Sequence, residues 1–170
     1  MKFDLPLIVL GLGSNLGDSR RIILDAIKVL ENVLSDLRIA SLYETTPLHV
    51  KDQKNFINTA AAGFFIGPKA EPGTPRELLS VINRIEAQFG RDRKRERRWG
   101  ERFLDIDILL FGGIVINETE LQIPHPRLKE RRFALEPLLE LIPDALEPGT
   151  GVSYRSICDG LVNQGILKEI

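Results

Sequence analysis

The chain opens with apolar residues at 7–10 that stop at Gly11 and Gly13, the pattern of a short buried strand entering a tight loop. From residue 19 to about 34 the period lengthens, and Ile22, Ile23, Ala26, Ile27, Leu30, Val33 and Leu34 recur at helical spacing. Residues 37–45 and 56–66 read as strands, separated by a polar loop at 46–55 that carries Pro47 and His49. The next helix is the best punctuated. Thr74 can cap it, Pro75 suits its first turn, and Glu77 completes a capping box. Its apolar stripe is Leu78, Leu79, Ile82, Ile85 and Phe89, and Gly90 can end it. A basic loop at 91–98 leads to a strand at 103–111, which Gly112 and Gly113 close. A short strand pair at 114–116 and 121–123 follows. Helical patterns then cover 132–141 and 154–162, interrupted by Pro137, Pro143 and Pro148.

Strand, helix, strand, strand, helix, strand is the order of an α+β fold. It predicts a ferredoxin-like split βαβ antiparallel sheet with helices packed on one face and helical additions at the C-terminus. A doubly wound parallel sheet needs helices between more of its strands. No internal repeat, low-complexity tract or long linker interrupts the 170 residues, so a single domain over 1–170 is expected.

Composition narrows the function classes. Hydrophobic residues at 43% and charged residues at 28% are ordinary for a globular protein, so a core is available. A net charge of −1 gives the molecule as a whole no attraction to nucleic acid or an acidic membrane. The one cysteine, Cys158, excludes an internal disulfide framework and a multi-cysteine zinc site; its apolar surroundings suggest a buried, inert thiol. No apolar run approaches the roughly 18 residues of a membrane span, and no signal-peptide pattern precedes the first strand. The expected location is cytoplasmic.

The sharpest candidate chemistry is Leu104-Asp105-Ile106-Asp107-Ile108-Leu109-Leu110. On a strand, Asp105 and Asp107 project to one side about 7 Å apart, while Leu104, Ile106, Ile108 and Leu110 point to the other. Two carboxylates on one face of a hydrophobic strand repel and cost desolvation unless a cation lies between them. Magnesium suits such a pair, taking one or two carboxylates, waters and phosphate oxygens. A solvent-facing polar strand, or aspartates paired with arginines, is the plainer alternative. Immediately upstream, residues 91–102 carry seven basic and three acidic residues, a local charge of +4 in a chain of net −1. That segment can bind phosphates through arginine forks, act as a solvated loop, or contact nucleic acid with Trp99 as a stacking platform.

Gly11-Leu12-Gly13-Ser14-Asn15-Leu16-Gly17 matches neither phosphate-binding glycine motif. Leu16 stands where the dinucleotide pattern wants its third glycine, and Asp18 follows Gly17 where a P-loop wants lysine. Tight-turn glycines packing a loop against the sheet are the economical reading. His125, between Pro124 and Pro126, can be aimed at a phosphate or can be a structural loop histidine; His49 has no assigned role. No serine or cysteine has an evident activating base, which favours direct transfer between two bound substrates.

Taken together, these segments resemble the 6-hydroxymethyl-7,8-dihydropterin pyrophosphokinase family. The resemblance runs from the glycine-rich segment at 11–18 through Tyr43-Glu44-Thr45-Thr46-Pro47-Leu48, Asp52-Gln53-Lys54-Asn55-Phe56-Ile57-Asn58 and Ile85-Glu86-Ala87-Gln88-Phe89-Gly90-Arg91. Its most specific part is Arg98-Trp99-Gly100-Glu101-Arg102-Phe103-Leu104-Asp105-Ile106-Asp107, and Ile123-Pro124-His125-Pro126-Arg127 and Arg132-Phe133-Ala134-Leu135 complete it. The resemblance implies diphosphate transfer from ATP to the hydroxymethyl group of the pterin, with AMP as the other product, in folate biosynthesis. It implies two Mg2+ ions on Asp105 and Asp107, and Arg91 and Arg102 as catalytic arginines on the transferred phosphates. Arg93, Arg98, His125 and Arg131 would contact ATP, with Asn83 and Glu86 on the nucleotide side. Thr45 and Leu48 would offer backbone groups to the pterin and Asn58 its amide, while Phe56 and Phe133 sandwich the ring with Trp99 nearby. The partners implied are these small molecules, with no nucleic acid or membrane, on a monomer. Phe56 stands where some members have tyrosine, Glu120 where some have a basic residue, and the basic loop is one residue longer than the commonest pattern. A ferredoxin-like RNA-binding module and a different metal-dependent nucleotide enzyme are the competing readings.

Overall fold

The computed structural model describes residues 5–48, 52–67, 73–91, 100–161 and 165–170. Among the sequence candidates, Arg93, Arg98 and Trp99 lie outside the described residues, as does His49.

Eight strands and four helices follow in the order β1 (Leu7–Ser14), α1 (Ser19–Leu30), β2 (Leu34–Ile39), β3 (Tyr43–Thr45), β4 (Phe56–Phe65), α2 (Pro75–Gln88), β5 (Asp105–Phe111), β6 (Ile116–Asn117), β7 (Gln122–Ile123), α3 (Arg132–Leu141), α4 (Tyr154–Gly160) and β8 (Ile166–Glu169), among the described residues. The main sheet runs β5-β1-β4-β3-β8, and β2 also pairs with β4 beyond the β3 segment. Every pairing is antiparallel. Counting β1, β2, β4 and β5 as the four core strands recovers the split βαβ order expected from the sequence.

The two helices of the βαβ core share one face, as expected, and the C-terminal helices take the other. Ile8, Leu10 and Leu12 of β1 pack with Ala26 and Leu30 of α1 and Leu78, Ile82 and Ile85 of α2. Val9 of the same strand, with Ala60 and Ala62 of β4, packs instead against Leu135, Leu138 and Leu139 of α3 and Tyr154 and Cys158 of α4. Alternation along β1 and β4 thus supplies two cores, one on each side of a single sheet. The alanines 60–62 are fully buried because helices close in from both sides.

Several boundaries moved for identifiable reasons. The first helix ends at Leu30, because the Asn32 amide donates to Lys28 O (3.1 Å) and the chain turns into β2. The stretch read as one strand at 37–45 splits into β2 and β3 at 40–42, where Ala40 N donates to Ala60 O (2.9 Å) and Ala40 O accepts the Thr59 hydroxyl (3.0 Å). The glycines at 11 and 13 lie inside β1, which continues to Ser14. In β5 a bulge leaves Leu109 without a paired residue on β1, so that Leu110 opposes Val9 while Ile108 opposes Leu10. Leu110 therefore joins the α3 side, away from Ile106 and Ile108, contrary to simple alternation. The α2 capping box forms as expected, with Thr74 Oγ1 and the Glu77 carboxylate each bonded to the other residue's backbone N–H.

Candidate active site

A cleft of about 300 Å³ opens on the α3 side of the sheet, floored by β1 and β5 and walled by residues 45–48, Gln53, Phe56 and the start of α3. Its floor needs glycine. A Cβ on Gly13 would come within 2.8 Å of Asn58 Oδ1, and one on Gly11 would press at 3.3 Å on the Leu109 side chain. Both glycines therefore serve a site where a side chain must lie flat across the sheet.

One end of the cleft is charged. Asp105 and Asp107 leave β5 on the same face, each about one-third exposed. Arg91, just beyond the end of α2, reaches round this edge strand and donates through Nη1 to Asp105 Oδ1 (2.6 Å). Arg102 Nε lies 3.6 Å from Asp105 Oδ2. Arg131 Nη1 donates to Asp107 Oδ2 (3.1 Å), and its guanidinium carbon sits 5.7 Å from the Phe133 ring centre. His125 Nε2 lies 3.6 Å from the same Asp107 oxygen. Its Nδ1 accepts the Arg127 N–H (3.1 Å), which places the proton of the neutral ring on Nε2, facing the carboxylate.

Two neighbouring ionisable groups, Asp107 and His125, are displaced in opposite directions. Burial, then the neighbouring Asp105 charge, pushes the Asp107 carboxyl up to about 7, although part of its side chain stays open to the cleft; Arg131 opposes the shift. Burial, then Arg131, lowers His125 to about 4, so the imidazole is neutral at physiological pH. Two carboxylates on one strand face, one of them raised by burial and by its neighbour's charge, suit a hard divalent cation. Among the described residues no group of three or more His, Cys, Asp or Glu side chains gathers into a protein-only metal cage. Asp105 and Asp107 thus fit an ion that completes its shell with waters and substrate oxygens.

The other end of the cleft is apolar and amide-lined. Thr45, Thr46, Pro47, Leu48, Phe56, Asn58 and Phe133 face it. Asn58 is 6% exposed and donates to Thr45 Oγ1 (2.6 Å), which fixes its amide plane across the β4–β3 ladder. Edge strand β5 is held from behind. Glu86, 1% exposed, accepts the Ile106 N–H (2.8 Å) and the guanidinium of Arg91.

The structure therefore brings Thr45, Leu48, Phe56, Asn58, Arg91, Arg102, Asp105, Asp107, Arg131 and Phe133 around one cleft, with His125 against Asp107. Glu86 sits beneath the cleft surface, where its carboxylate is consumed by the edge-strand N–H and Arg91. Asn83 is exposed on α2 and does not line the cleft. Sequence reasoning assigned nothing to Gln53, Thr46 and Pro47, which also line it. Their signals were membership of a polar loop and of the segments that carry the resemblance, neither of which gives a role.

The family model for 7,8-dihydro-6-hydroxymethylpterin-pyrophosphokinase (HPPK) matches residues 9–143. The chain is 40% identical over 141 residues to the 2-amino-4-hydroxy-6-hydroxymethyldihydropteridine pyrophosphokinase of Aquifex aeolicus (strain VF5), covering 83% of each. With the Bacillus subtilis (strain 168) protein of the same name it shares 39% over 134 residues, covering 78% of this chain and 75% of that one. It is also 36% identical over 165 residues to the folic acid synthesis protein fol1 of Pneumocystis carinii, but spans only 21% of that protein's length. Against the mitochondrial folate synthesis bifunctional protein of Arabidopsis thaliana it spans 26%. The crystal structure of wild-type Plasmodium falciparum HPPK-DHPS superposes with a TM-score of 0.71 at 16% identity, over 94% of this chain and 45% of that one. At that identity the superposition speaks to the fold alone. The fold, the match over residues 9–143 and the bacterial relatives agree: the chain belongs to the 7,8-dihydro-6-hydroxymethylpterin-pyrophosphokinase family.

Proposed function

We propose that the chain transfers the terminal diphosphate of ATP to the hydroxymethyl oxygen of 6-hydroxymethyl-7,8-dihydropterin, releasing AMP, and that the reaction depends on Mg2+. The observation that carries this reading is the polarity of the cleft. A carboxylate pair ringed by Arg91, Arg102 and Arg131 meets an apolar, amide-lined slot within about 300 Å³.

In the acceptor slot, Phe56 and Phe133 supply aromatic surface to a flat ring, and the Asn58 amide matches its neighbouring donors and acceptors. The slot leads the hydroxymethyl group toward Asp105 and Asp107. There the two carboxylates would hold two Mg2+ ions, whose charge would supply acidity to the attacking hydroxyl and neutralisation to the phosphates. The hydroxymethyl oxygen attacks the β-phosphorus, the bond to the α-phosphate oxygen breaks, and the hydroxyl proton is lost to solvent. Arg91 and Arg102, which line the cleft beside Asp105, would hold the diphosphoryl group as its charge redistributes. Arg131 and the Nε2–H of neutral His125 would contact the nucleotide phosphates. Glu86 acts here on Arg91 and β5, and among the described residues Asn83 is not part of the cleft lining. The same reading places Arg93, Arg98 and Trp99 on the nucleotide and ring, as the resemblance implies.

An RNA-binding module leaves a sheet face open for base stacking. Here α1 and α2 cover one face, and α3 and α4 most of the other.

The test is turnover of purified protein with ATP, Mg2+ and the pterin, resolving AMP from ADP. AMP formed only when the pterin is present, together with pterin diphosphate, supports the proposal. Asp105→Ala and Asp107→Ala should each lower kcat by on the order of 10³-fold while the fold persists. Near-normal turnover in either variant would remove the metal assignment.

A further inference from the structure

The segment Ser14-Asn15-Leu16 played no part in the chemistry above, yet its asparagine is 1% exposed and fully committed. Asn15 Nδ2 donates to Gln53 Oε1 (3.1 Å) and to Lys54 O (3.1 Å). Its Oδ1 accepts the Arg102 N–H (2.8 Å). The amide orientation is dictated by the partners, because a backbone N–H only donates and a carbonyl only accepts. The main chain adds two further bonds: Asn15 N and Leu16 N both donate to Arg102 O, at 3.0 and 3.1 Å. The peptide groups of Arg102 are thus gripped at both N–H and C=O.

Those five bonds join segments far apart in sequence. Gln53 and Arg102 both line the cleft, Gln53 on the wall that carries Leu48 and Phe56, Arg102 beside Asp105. Resting on the pyrophosphokinase reading, we propose that Asn15 is a positioning residue that locks the acceptor wall to the phosphate-binding wall. The attacking hydroxymethyl group and the diphosphate are thereby held in one register. No other side chain of this size offers two donors on one atom and an acceptor on its partner. Aspartate keeps the acceptor for Arg102 but turns an oxygen on Gln53 Oε1 and Lys54 O; leucine offers nothing. A misplacement of about 1 Å between reacting groups can cost on the order of 10²-fold in rate, so a rigid bridge between the walls has catalytic consequence.

The experiment compares wild type, Asn15→Asp, Gln53→Ala and the double variant. Steady-state kinetics are read for pterin and for ATP, with thermal melting and hydrogen–deuterium exchange of the ligand-free proteins. Asn15→Asp is expected to raise pterin KM about tenfold, the size of one or two lost hydrogen bonds, with ATP KM changed less than about twofold. Gln53→Ala, which probes the same bridge at a half-buried position, should raise pterin KM alone and add little on top of Asn15→Asp. Exchange should quicken at 53–58 in Asn15→Asp without quickening across the helices. Fully additive effects of the two substitutions would overturn the proposal, as would equal rises in both KM values that track melting alone. If wild type makes no AMP from the pterin, the functional reading fails separately. Localised exchange at 53–58 then still supports the bridge, and unchanged or global exchange overturns it.

Discussion

At the scale of single residues, Asp107 and His125 shift in opposite directions within one contact, and the pH dependence of stability follows. The Asp107 carboxyl is raised to about 7 in the folded, metal-free protein, from an ordinary value near 3.8. Its protonated form is the one the fold prefers, so its contribution is complete below about pH 4 and is lost as pH rises through 7. His125 runs the other way. Lowered to about 4 from 6.5, it leaves the fold unpenalised above 6.5 and costs stability as pH falls toward 4. Asp107→Asn should therefore gain stability relative to wild type as pH climbs from 4 to 7 without metal, and Mg2+ should erase that gain. Melting curves across this range, with and without Mg2+, check it; a pH-independent difference would contradict the assigned environment. The carboxylate pair itself was legible in the sequence, because period-two alternation puts both aspartates on one face whatever surrounds them. Its surroundings were not. That Glu86 would turn inward to cap the Ile106 N–H depends on β5 being an edge strand, which is a property of the sheet and not of the local sequence.

At the scale of elements, the long periodic segments were legible and the context-dependent ones were not. The capping box, Pro75 and the apolar stripe specified α2 almost to its ends. The four-residue β8 was missed, since a short Ile-Leu-Lys-Glu stretch has no pattern of its own and becomes a strand only by pairing with β3. That pairing braces the acceptor wall. Thr46 N donates to Gly165 O (2.7 Å) and Ile170 N to Leu42 O (2.7 Å), on either side of the Tyr43–Thr45 strand. A Cβ on Gly165 would overlap the Thr46 side chain. Gly165→Ala should consequently destabilise the protein by about 1–3 kcal/mol and weaken pterin binding more than ATP binding. Calorimetric melting and the two KM values test this; an unchanged melting temperature with unchanged pterin KM would mean β8 is a passive cover. The glycines of β1 were read as loop residues because glycine is poor in strands, and only the close approach of Asn58 over Gly13 and of Leu109 over Gly11 explains why two are tolerated there.

At the scale of the molecule, the two cores share strands. Because β1 and β4 contribute side chains to both, neither face can lose its helices without exposing the back of the other's sheet. Ile82→Ala on the α2 side and Leu135→Ala on the α3 side, both at fully buried positions, should each cost about 2–5 kcal/mol. Unfolding should remain one cooperative transition in both variants, seen equally by far-UV and near-UV circular dichroism. Separate transitions would instead mark the α3–α4 layer as an independently melting unit. Among the described residues no helix is long and apolar enough to cross a membrane. The order of the core elements was legible because each has its own period. The side on which α3 and α4 dock was not, since no residue in those helices encodes which face of an already formed sheet is vacant.

The bulge at Leu109 carries a genetic consequence. Between Asp105 and Ile108 each residue's face is set by counting in twos from the bulge, so losing or gaining one codon there reverses the count. The aspartates would turn into the α1–α2 core and Ile106 into the cleft. Past the bulge the count has already slipped once, and the turn at Gly112 and Gly113 ends it altogether. This stretch is therefore far less forgiving of in-frame insertions and deletions than of substitutions among its apolar residues. The length of β5 up to the bulge is as much a part of the site as the two carboxylates it presents.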